Sequence, residues 1–492
     1  MIHLATLFTG HGSLSINEQQ DDSIPTYIAI ISKKDGTTTT KRLNPTRRRS
    51  SSASIPSQPL KKRLVDSSFF LPKLRLQHTS QRRRSSAKSN IDHLEKDFAF
   101  YLPLEIIQGI VAYLDYTSIL TLSSTSRYFY QLCQDDHIWY TLFTQDFHTP
   151  RTRYPVSVTT PQQQRHHMAL YRNHCILARR WLDGQVDTRY LQGHEDSIYC
   201  MARLGRHHLV SGSRDRTIKI WHFQQHKANP IVITKRAAHE GSVLCLSLSH
   251  NGKTMLSGSS DATCILWCLQ TLRPLQVLRG HTHGVLDVCL MDDDYYVSAS
   301  RDHTLCVWDT SKGTLVHRLL GHLGPVNALD CYDKDHVISA SGDGTLKVWQ
   351  VRSGQCIKTF TQDHVTEDPQ RHGLACVKSD GQQGLVYSGG QDGKIRVWDY
   401  ASGTCVATLS GHHGLIRTMD IMEGGKILVT GSYDKTIRVW DLKKRQCILS
   451  FQSGHSGWIF NLLVSRSRIF SAGQDKQIMM LDFGKGLSIL DD

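Results

Sequence analysis

One pattern of strand, tight turn and strand recurs seven times between Ser211 and the C-terminus. Each turn contains an aspartate, and the sixth residue after it is a tryptophan in six copies and Leu481 in the seventh. The turn aspartates, separated by 46, 41, 41, 49, 42 and 41 residues, are Asp215, Asp261, Asp302, Asp343, Asp392, Asp434 and Asp475. This interval is close to the roughly 40 to 45 residues of a four-stranded propeller blade, and it fits helical repeats poorly.

Each copy has an apolar run before its turn, such as HHLVSGS, and an alternating run after it, such as TIKIW. Apolar alternation with a period of two predicts a β-strand, so each copy contains a strand pair. Most aspartates are preceded, at 20 to 22 residues, by a histidine: His194, His239, His281, His322, His412 and His455. Four residues before those aspartates stands a hydroxyl residue: Ser211, Ser257, Ser298, Ser339, Thr430 and Ser471.

This set of residues resembles the WD-repeat family. In that family the histidine, hydroxyl residue, aspartate and tryptophan of a blade form a hydrogen-bonded chain, so each buried polar group has a partner. The resemblance implies that the six histidines are structural, and a metal site is the alternative interpretation. In blade five, residues 363–371 indicate an inserted loop, and either His364 or His372 takes the histidine position.

The first 90 residues have a different character from the repeats. They contain 16 Lys and Arg against 5 Asp and Glu, whereas the remaining residues contain 42 against 39. Their Ser, Thr, Gln, Arg and Pro content and weak periodicity predict a mostly disordered basic tail. Basic runs at 47–49, 61–63 and 82–84 suggest nuclear import or kinase sites, or else a solvated tail with incidental nucleic-acid affinity. Aromatic residues do not interleave with these runs, so no specific nucleic-acid binding is predicted.

Composition also restricts the class of protein. The 13 cysteines are scattered without CxxC pairs, and neither a secretory signal nor a membrane-spanning apolar run is recognisable. We therefore expect a soluble protein of the nucleus, the cytoplasm or both, with no membrane partner. The sequence has no nucleophile elbow, phosphate loop or HExxH zinc motif, so we expect neither catalysis nor a cofactor or metal.

Residues 98–147 are dense in apolar and aromatic residues without the period-two alternation, which predicts helices. Pro103 suits a first helical position, and an apolar stripe follows it at helical spacing. The segment resembles an F-box: LPLEII matches its opening, YLDYTSILTLSSTSRYF its middle and HIWYTLF its end. The resemblance implies a docking face for a Skp-type adaptor formed by Leu102, Pro103, Leu104, Ile107, Ile110 and Leu114. The alternative is a helical cap that only packs on the propeller.

Thr188 to Leu191 occupy the place that an outer blade strand has in later repeats, but no blade precedes them. Ring closure by this strand, which would complete blade seven, removes an exposed sheet edge. The predicted fold is therefore an all-β seven-bladed WD-repeat propeller at 188–490. It is preceded by the disordered basic tail at 1–90, a small all-α F-box domain at 98–147 and a helical linker at 148–187.

An F-box followed by WD repeats resembles the substrate receptors of cullin-RING ubiquitin ligases. The order of SIYC, SVLCL, GVLDV and LIRT is similar to the beta-transducin-repeat-containing F-box type. The resemblance implies a non-catalytic receptor, bound through its adaptor to cullin and RING subunits, that recognises phosphorylated substrates. A scaffold propeller that binds unmodified partners is the rival interpretation.

The same resemblance implies which residues form the substrate site. A phosphate pocket on one face of the propeller is formed by Tyr199, Arg214, Ser242 and Ser260. The rest of the site is lined by Leu286, Asn327, Ala375, Leu415, Arg417 and Tyr433. The chain departs from the type, which carries arginine there, at Gly344, His372 and Trp458. Arg301 is the candidate compensating cation, and Trp458 is expected to supply apolar contact instead of charge.

Overall fold

The computed structural model describes residues 27–31, 38–41, 103–111, 113–147, 166–205, 207–222, 231–235, 238–249, 251–291, 294–361, 373–452 and 454–487. The three basic runs of the tail, Leu102, His364 and His372 lie outside these residues. The chain divides into two compact units: Asn44–Ala169, and Met1–Leu43 together with Leu170–Asp492.

In the smaller unit the structure describes four short helices: α1 (Leu104–Val111), α2 (Tyr116–Ser123), α3 (Arg127–Leu132) and α4 (Asp136–Asp146). Capping residues precede three of them, since Asp115, Ser126 and Asp135 accept hydrogen bonds from backbone amides of the first turn. The buried core contains Ile107, Val111, Ile119, Leu132, Ile138, Trp139, Leu142 and Phe143. The predicted small helical domain is therefore present.

Helix α5 (His166–Asp183) precedes the propeller. The Trp181 ring stacks on Phe483 with centroids 3.9 Å apart, and its Nε1–H donates to the carbonyl of Arg466 at 2.9 Å. Arg180 donates to the carbonyls of Phe483 and Lys485 at 2.8 and 2.9 Å. These contacts hold the end of α5 against the last blade.

Seven four-stranded antiparallel units form the blades, and the strands of each blade are named here from the channel outward. Blade one contains β4 (Ile198–Leu204), β5 (His208–Ser213), β6 (Ile218–His222) and β7 (Ile231–Lys235). Blade two contains β8 (Val243–Leu248), β9 (Thr254–Ser259), β10 (Thr263–Cys268) and β11 (Arg273–Arg279). Blade three contains β12 (Val285–Leu290), β13 (Tyr295–Ser300), β14 (Leu305–Asp309) and β15 (Leu315–Leu319).

The second half of the ring repeats this order. Blade four contains β16 (Val326–Cys331), β17 (His336–Ser341), β18 (Leu346–Gln350) and β19 (Gln355–Phe360). Blade five contains β20 (Leu374–Asp380), β21 (Leu385–Gly390), β22 (Ile395–Asp399) and β23 (Cys405–Leu409). Blade six contains β24 (Ile416–Ile421), β25 (Ile427–Ser432), β26 (Ile437–Asp441) and β27 (Gln446–Gln452). Blade seven contains β28 (Ile459–Val464), β29 (Arg468–Gly473), β30 (Gln477–Asp482) and β3 (Asp187–Gln192).

The ring closes as the sequence predicts. Strand β3 pairs antiparallel with β30, with Thr188 opposite Leu481 and Leu191 opposite Ile478. The innermost strands contact one another in order around the channel, and β28 of blade seven contacts β4 of blade one. Apolar clusters join neighbouring blades, since Trp267 of blade two packs with Val210 of blade one. Blade seven is therefore completed by a strand that precedes blade one in the sequence.

Two features of the structure differ from the sequence prediction. Strands β1 (Tyr27–Ile31) and β2 (Thr38–Lys41) form a hairpin whose first strand pairs parallel with β27 of blade six, a local element that the prediction of a mostly disordered tail did not include. Cys289 and Cys331, on the inner strands of blades three and four, form a disulfide that the scattered cysteines did not indicate. Within the described residues, no helix is both long and apolar enough to cross a membrane.

Candidate ligand-binding face of the propeller

The predicted hydrogen-bonded chain is present in the blades. In blade one, His194 Nδ1 lies 2.7 Å from the Asp215 carboxylate and Nε2 lies 2.7 Å from the Ser211 hydroxyl, which also accepts from Trp221 Nε1 at 2.8 Å. The other five histidines contact their aspartate and hydroxyl residue in the same way, at distances between 2.7 and 3.2 Å. The structural interpretation of these histidines is therefore confirmed.

The electrostatics of the chain fix the proton positions. Burial by itself would raise the pKa of Asp215, but hydrogen bonds from His194 and Thr217 outweigh burial and hold the pKa well below its usual range. In blade three the same competition lowers the pKa of Asp302 to about 2. The carboxylate is ionised and can only accept, so the histidine donates to it through Nδ1–H.

Blade five uses a different partner. The guanidinium of Arg396 lies 2.5 Å from the Asp392 carboxylate, and Arg396 is only 7% exposed. Trp398 still donates to Ser388 at 2.9 Å. Arg396 therefore neutralises the turn aspartate, a role that the sequence reasoning assigned only to a histidine.

One backbone contact repeats in all seven blades and gives the propeller a defined face. The residue just before each turn aspartate donates its amide to the carbonyl of the residue just before the inner strand, at 2.8 to 3.0 Å. We call the amide donors the turn ring: Arg214, Ser260, Arg301, Gly342, Gln391, Tyr433 and Gln474. We call the carbonyl residues the entry ring: Ser197, Ser242, Gly284, Pro325, Gly373, Leu415 and Trp458. Both rings lie at the end of the channel where the inner strands begin.

The second residues of the inner strands form a third set, the mouth ring: Tyr199, Leu244, Leu286, Asn327, Ala375, Arg417 and Phe460. Six of these seven line a channel cavity of about 230 Å³, and the carbonyl of the seventh, Ala375, accepts a hydrogen bond from Arg417 at 3.1 Å. All twelve substrate-site residues predicted from the sequence belong to the three rings. The predicted residues therefore lie on one face of the propeller, spread over all of its blades.

Blades six, seven and one bring several of these residues into direct contact. The rings of Tyr433 and Trp458 stack with centroids 4.6 Å apart and planes 5° apart. Phe460 contacts Tyr433 edge-on at 5.9 Å and Tyr199 at 5.0 Å. Burial raises the pKa of Tyr199, and the nearby guanidinium groups of Arg214 and Arg417 oppose that rise. We call Tyr199, Tyr433, Trp458 and Phe460 the aromatic patch.

The proposed phosphate pocket contains one group that the sequence reasoning missed. Asp196 lies 3.6 Å from Arg214, and both side chains are substantially exposed, at 38% and 44%. On blade two, the hydroxyl of Ser260 accepts a hydrogen bond from the Ser242 amide at 2.8 Å, so its own proton remains available. Arg214 thus has a competing carboxylate, while Ser260 is oriented as a donor.

The remaining predicted cation, Arg301, belongs to the turn ring on blade three, where its amide donates to the Gly284 carbonyl at 3.0 Å. Phe460 was also missed, although its place as the second residue of the seventh inner strand identifies it once the blades are aligned. Gly344, where a positive charge was considered, has a φ of +83° and supplies no side chain. Two guanidinium groups therefore lie beside the aromatic patch, and a third lies on another part of the rings.

Below the mouth, acidic side chains link neighbouring inner strands. Asp287 accepts the Leu329 amide at 2.7 Å, and Asp420 accepts the Val464 amide at 2.8 Å. Lys378 lies between two carboxylates, 3.2 Å from Asp330 and 3.8 Å from Asp420. Burial raises the pKa of Asp287 to about 6. These groups join the blades across the channel wall, and a separate groove of about 710 Å³ between blades one and two contains none of the predicted site residues.

The predicted adaptor-binding residues divide into two groups. Pro103, Leu104 and Ile110 are exposed, the latter two at 49% and 53%, and Leu114 is partly exposed. Ile107 is only 4% exposed, because it points into the core of the helical unit, so its assignment to the docking face is wrong. Exposed apolar residues that the prediction omitted are Ile106 at 52% and Tyr113 at 92%.

Comparison with known families agrees with this architecture. The F-box-like family model matches residues 100–145, and the model of the WD domain, G-beta repeat, matches 185–222, 231–268, 272–309, 313–350, 354–399 and 403–441. The chain is an F-box/WD-repeat protein. Strands β28, β29 and β30 of blade seven lie beyond the matched residues and are shown by the structure.

Two curated relatives of this F-box/WD-repeat protein illustrate the similarity. Cell division control protein 4 of Saccharomyces cerevisiae is 24% identical over 207 residues, which is 39% of this chain and 26% of that protein. Probable E3 ubiquitin ligase complex SCF subunit sconB of Arthroderma otae is 27% identical over 163 residues, 28% of this chain and 24% of that protein. The matched regions span about a quarter or less of the length of the curated relatives.

Among solved structures, the WD40 β-propeller domain of Doa1 is similar with a TM-score of 0.53 and 22% identity. The match covers 60% of this chain and 95% of that domain. At this identity the likeness shows the propeller fold alone.

Proposed function

We propose that this protein is the substrate-recognition subunit of an SCF-type ubiquitin ligase. The F-box-like unit binds a Skp-type adaptor, and through it the cullin and RING subunits, while the propeller face binds a phosphorylated segment of the substrate. The sconB relative is named as a probable SCF subunit, and this similarity supports the first half of the proposal. The observation that carries the second half is the placement of two guanidinium groups at one channel mouth: Arg417 lines the same cavity as Tyr199, and Arg214 lies on the turn ring of the blade that contains Tyr199.

The adaptor site consists of exposed apolar side chains on and after α1. Ile106, Ile110 and Tyr113 are separated by four and three residues, so they share one face of the helical turn. Apolar surface of this kind on a small domain is typical of a protein interface. Charge placed in a desolvated interface is costly, so the double variant Ile106→Asp, Ile110→Asp should not capture the adaptor.

The matched control is Thr121→Asp, which adds a charge to an exposed position of α2. Adaptor capture and circular dichroism are measured on all three full-length chains. We expect native helix content in each and loss of capture only in the double variant. Unchanged capture by the double variant would exclude this docking face.

In this role the protein itself makes and breaks no bond. Ubiquitin transfer is performed by the RING subunit and its conjugating enzyme, and the receptor raises the effective concentration of substrate lysines near the activated ubiquitin. The residues described here therefore act only in binding.

Phosphate recognition follows from the chemistry at the mouth. A phosphoserine carries nearly two negative charges and three acceptor oxygens at pH 7. The Arg214 guanidinium can donate two parallel hydrogen bonds to such a group, with hydroxyl donors at Tyr199, Ser242 and Ser260. Unmodified serine has no charge to pair with Arg214, so binding should depend on the phosphate.

Calorimetric titration of the full chain with matched phosphorylated and unphosphorylated acidic peptides tests this site. A charge-assisted hydrogen bond contributes on the order of 1.5 to 3 kcal/mol, so Arg214→Ala should weaken phosphopeptide binding by roughly ten- to a hundredfold. Arg301→Ala, on blade three, is the matched control and should have a smaller effect. Equal affinity for both peptides, or indifference to Arg214→Ala, would favour a scaffold that binds unmodified partners.

We also propose that the basic runs of the tail at 47–49, 61–63 and 82–84 direct the protein to the nucleus. Clustered lysine and arginine in an accessible segment is the usual signal for an import receptor. A fluorescent reporter fused to residues 1–90 should accumulate in the nucleus, and a reporter that stays in the cytoplasm would remove this proposal.

A further inference from the structure

The outer edge of blade six is covered by the hairpin of β1 and β2. Strand β1 pairs parallel with β27, from Tyr27 opposite Leu449 to Ile30 opposite Gln452, and β2 pairs antiparallel with β1. Among the described residues, blade six is therefore a six-stranded sheet, whereas each of the other blades has four strands. Because β27 is the outermost strand of its blade, this contact lies on the circumference of the propeller.

The sequence of β27 explains why this edge needs a cover. An unpaired outer strand exposes a row of backbone amides and carbonyls, and a charge, a proline or a short strand hinders pairing with another chain. The seven residues QCILSFQ of β27 contain neither a charge nor a proline. Each of the other outer strands has at least one of these features: a charged residue in IVITK, RPLQVLR, LVHRL, QCIKTF and DTRYLQ, and a length of only five residues in CVATL. Blade six therefore has the outer edge that is least protected by its own sequence.

Burial of the outer strands agrees with this comparison. Ser450 of β27 lies opposite Ile28 of β1 and is only 2% exposed. The residue at the same register is exposed in the outer strands of blades two to five: Val277, Arg318, Thr359 and Thr408. Blade six thus has a buried position where a blade without an added strand has an exposed one.

The hairpin replaces this edge with a better protected one. Strand β2 consists of three threonines followed by Lys41, and it forms the new edge of the sheet. A short edge with a lysine disfavours further pairing. The sequence between the two strands contains Asp35 and Gly36, a dipeptide that favours tight turns, so the sequence itself favours a hairpin here.

We propose that the outer edge of blade six is a strand-binding surface, separate from the ring face, and that residues 27–41 of the same chain occupy it. The contact defines the class of segment that fits: an extended, uncharged segment rich in β-branched residues, such as YIAII, that pairs parallel with β27. Because the tail is part of the same chain, its effective concentration at the edge is high. A separate strand of this class therefore binds only when the tail is released.

Hydrogen exchange of the full chain, measured by mass spectrometry, tests whether the hairpin covers the edge. Successive amides of a strand point to opposite neighbours, so the double variant Ala29→Pro, Ile30→Pro removes one donor towards β27 and one towards β2. About half of the amides of 446–452 face the added strand, and in this variant they should exchange at least about tenfold faster. Ala29→Val, Ile30→Val is the matched control, because valine favours strands, and it should keep the native rates. Residues 405–409, the uncovered outer strand of blade five, should exchange alike in all three chains.

Binding of a labelled peptide of residues 24–43, measured by fluorescence anisotropy, tests the surface itself. The peptide should bind the proline variant at least about tenfold more tightly than the native chain, in which the tail competes for the same edge. A peptide that carries the same two prolines should bind neither chain. Circular dichroism verifies that both variants retain the native fold.

Three results would overturn the proposal. Unchanged exchange at 446–452 in the proline variant would show that the hairpin does not cover the edge. Faster exchange without binding of the peptide would show that the edge does not accept a separate strand. Protection of 446–452 in the native chain that rises with protein concentration would assign the edge to a second copy of the chain instead of the tail.

Discussion

Ser339→Ala and Ser471→Ala together measure how much the hydrogen-bonded chain of a blade contributes to stability. Both serines are fully buried, at 0% exposure. In blade four the Ser339 hydroxyl lies 2.8 Å from His322 Nε2 and 3.4 Å from the Lys347 carbonyl, and it accepts a hydrogen bond from Trp349 Nε1–H at 2.8 Å. In blade seven the Ser471 hydroxyl contacts His455 Nε2 at 2.7 Å, and the tryptophan position holds Leu481, which has no side-chain donor.

The two variants therefore differ in the number of buried groups left without a partner. Ser339→Ala leaves an imidazole nitrogen and an indole N–H unsatisfied, whereas Ser471→Ala leaves only the imidazole nitrogen. Each buried unsatisfied group costs about 1 to 3 kcal/mol. We expect the free energy of unfolding to fall by about 2 to 6 kcal/mol for Ser339→Ala and by about 1 to 3 kcal/mol for Ser471→Ala.

Urea denaturation of the full chain, followed by tryptophan fluorescence and far-UV circular dichroism, gives the two values. A comparison of transition midpoints is valid where the slopes of the unfolding transition agree, because the slope reports the surface exposed on unfolding. Equal losses for the two serines, or a larger loss for Ser471→Ala, would show that the indole hydrogen bond contributes nothing and would refute this account of the chain.

Further predictions concern the helical unit, the phosphate pocket and pH dependence. Ile107→Ala should lower the stability of the helical unit by about 2 to 5 kcal/mol in thermal melts, while Ile110→Ala should change that stability by less than about 0.5 kcal/mol. Equal effects would contradict the assignment of Ile107 to the core and Ile110 to the surface. Asp196→Asn should tighten phosphopeptide binding about two- to fivefold in calorimetry, because it removes the exposed carboxylate beside Arg214, and weaker binding would contradict this. The folded pKa of Asp302 is depressed to about 2, so its contribution to the free energy of unfolding is present above about pH 4 and is lost as pH falls towards 2. Acid unfolding, monitored by circular dichroism, should therefore begin between about pH 4 and pH 2. The folded pKa of Asp287 is raised to about 6, so its contribution to the free energy of unfolding is present below about pH 4 and is lost as pH rises through 6. Urea titrations at pH 4 and pH 7 measure this loss, and Asp287→Asn should make it smaller by up to about 3 kcal/mol. An unchanged pH dependence in the variant would contradict this prediction.

The helical unit shows where sequence reasoning succeeds and where it does not. Apolar density and the polar capping residues at Asp115 and Ser126 are local features, so helices were predictable. Which apolar residue faces the core depends on how four short helices pack, so Ile107 is buried although the resemblance placed it on the docking face, and the neighbouring Ile106 is exposed. An apolar stripe at helical spacing is wide enough to contain both a core face and an exposed face.

On the ring face, the site residues could be named from the sequence, but the contacts between them could not. The family resemblance indicated Tyr199, Arg214 and Tyr433, and the shared register of the blades places them at turns and strand starts of the ring face. It could not place Asp196 beside Arg214 or stack Trp458 on Tyr433, because these contacts depend on side-chain directions and on neighbouring blades. Arg396, four residues after its aspartate, was overlooked since a histidine far upstream is the usual partner.

By itself, the sequence determined the number of blades, the strand pairs and the closure of the ring through Thr188 to Leu191. These features follow from a period of about 40 residues and from local alternation, both of which can be read along one chain. Only the tertiary structure decided the Cys289–Cys331 pair, the channel contacts of Asp287 and Asp420, and the aromatic patch. Each of these joins residues from different blades, and the distance between such residues is set by the closed ring rather than by their separation in the chain.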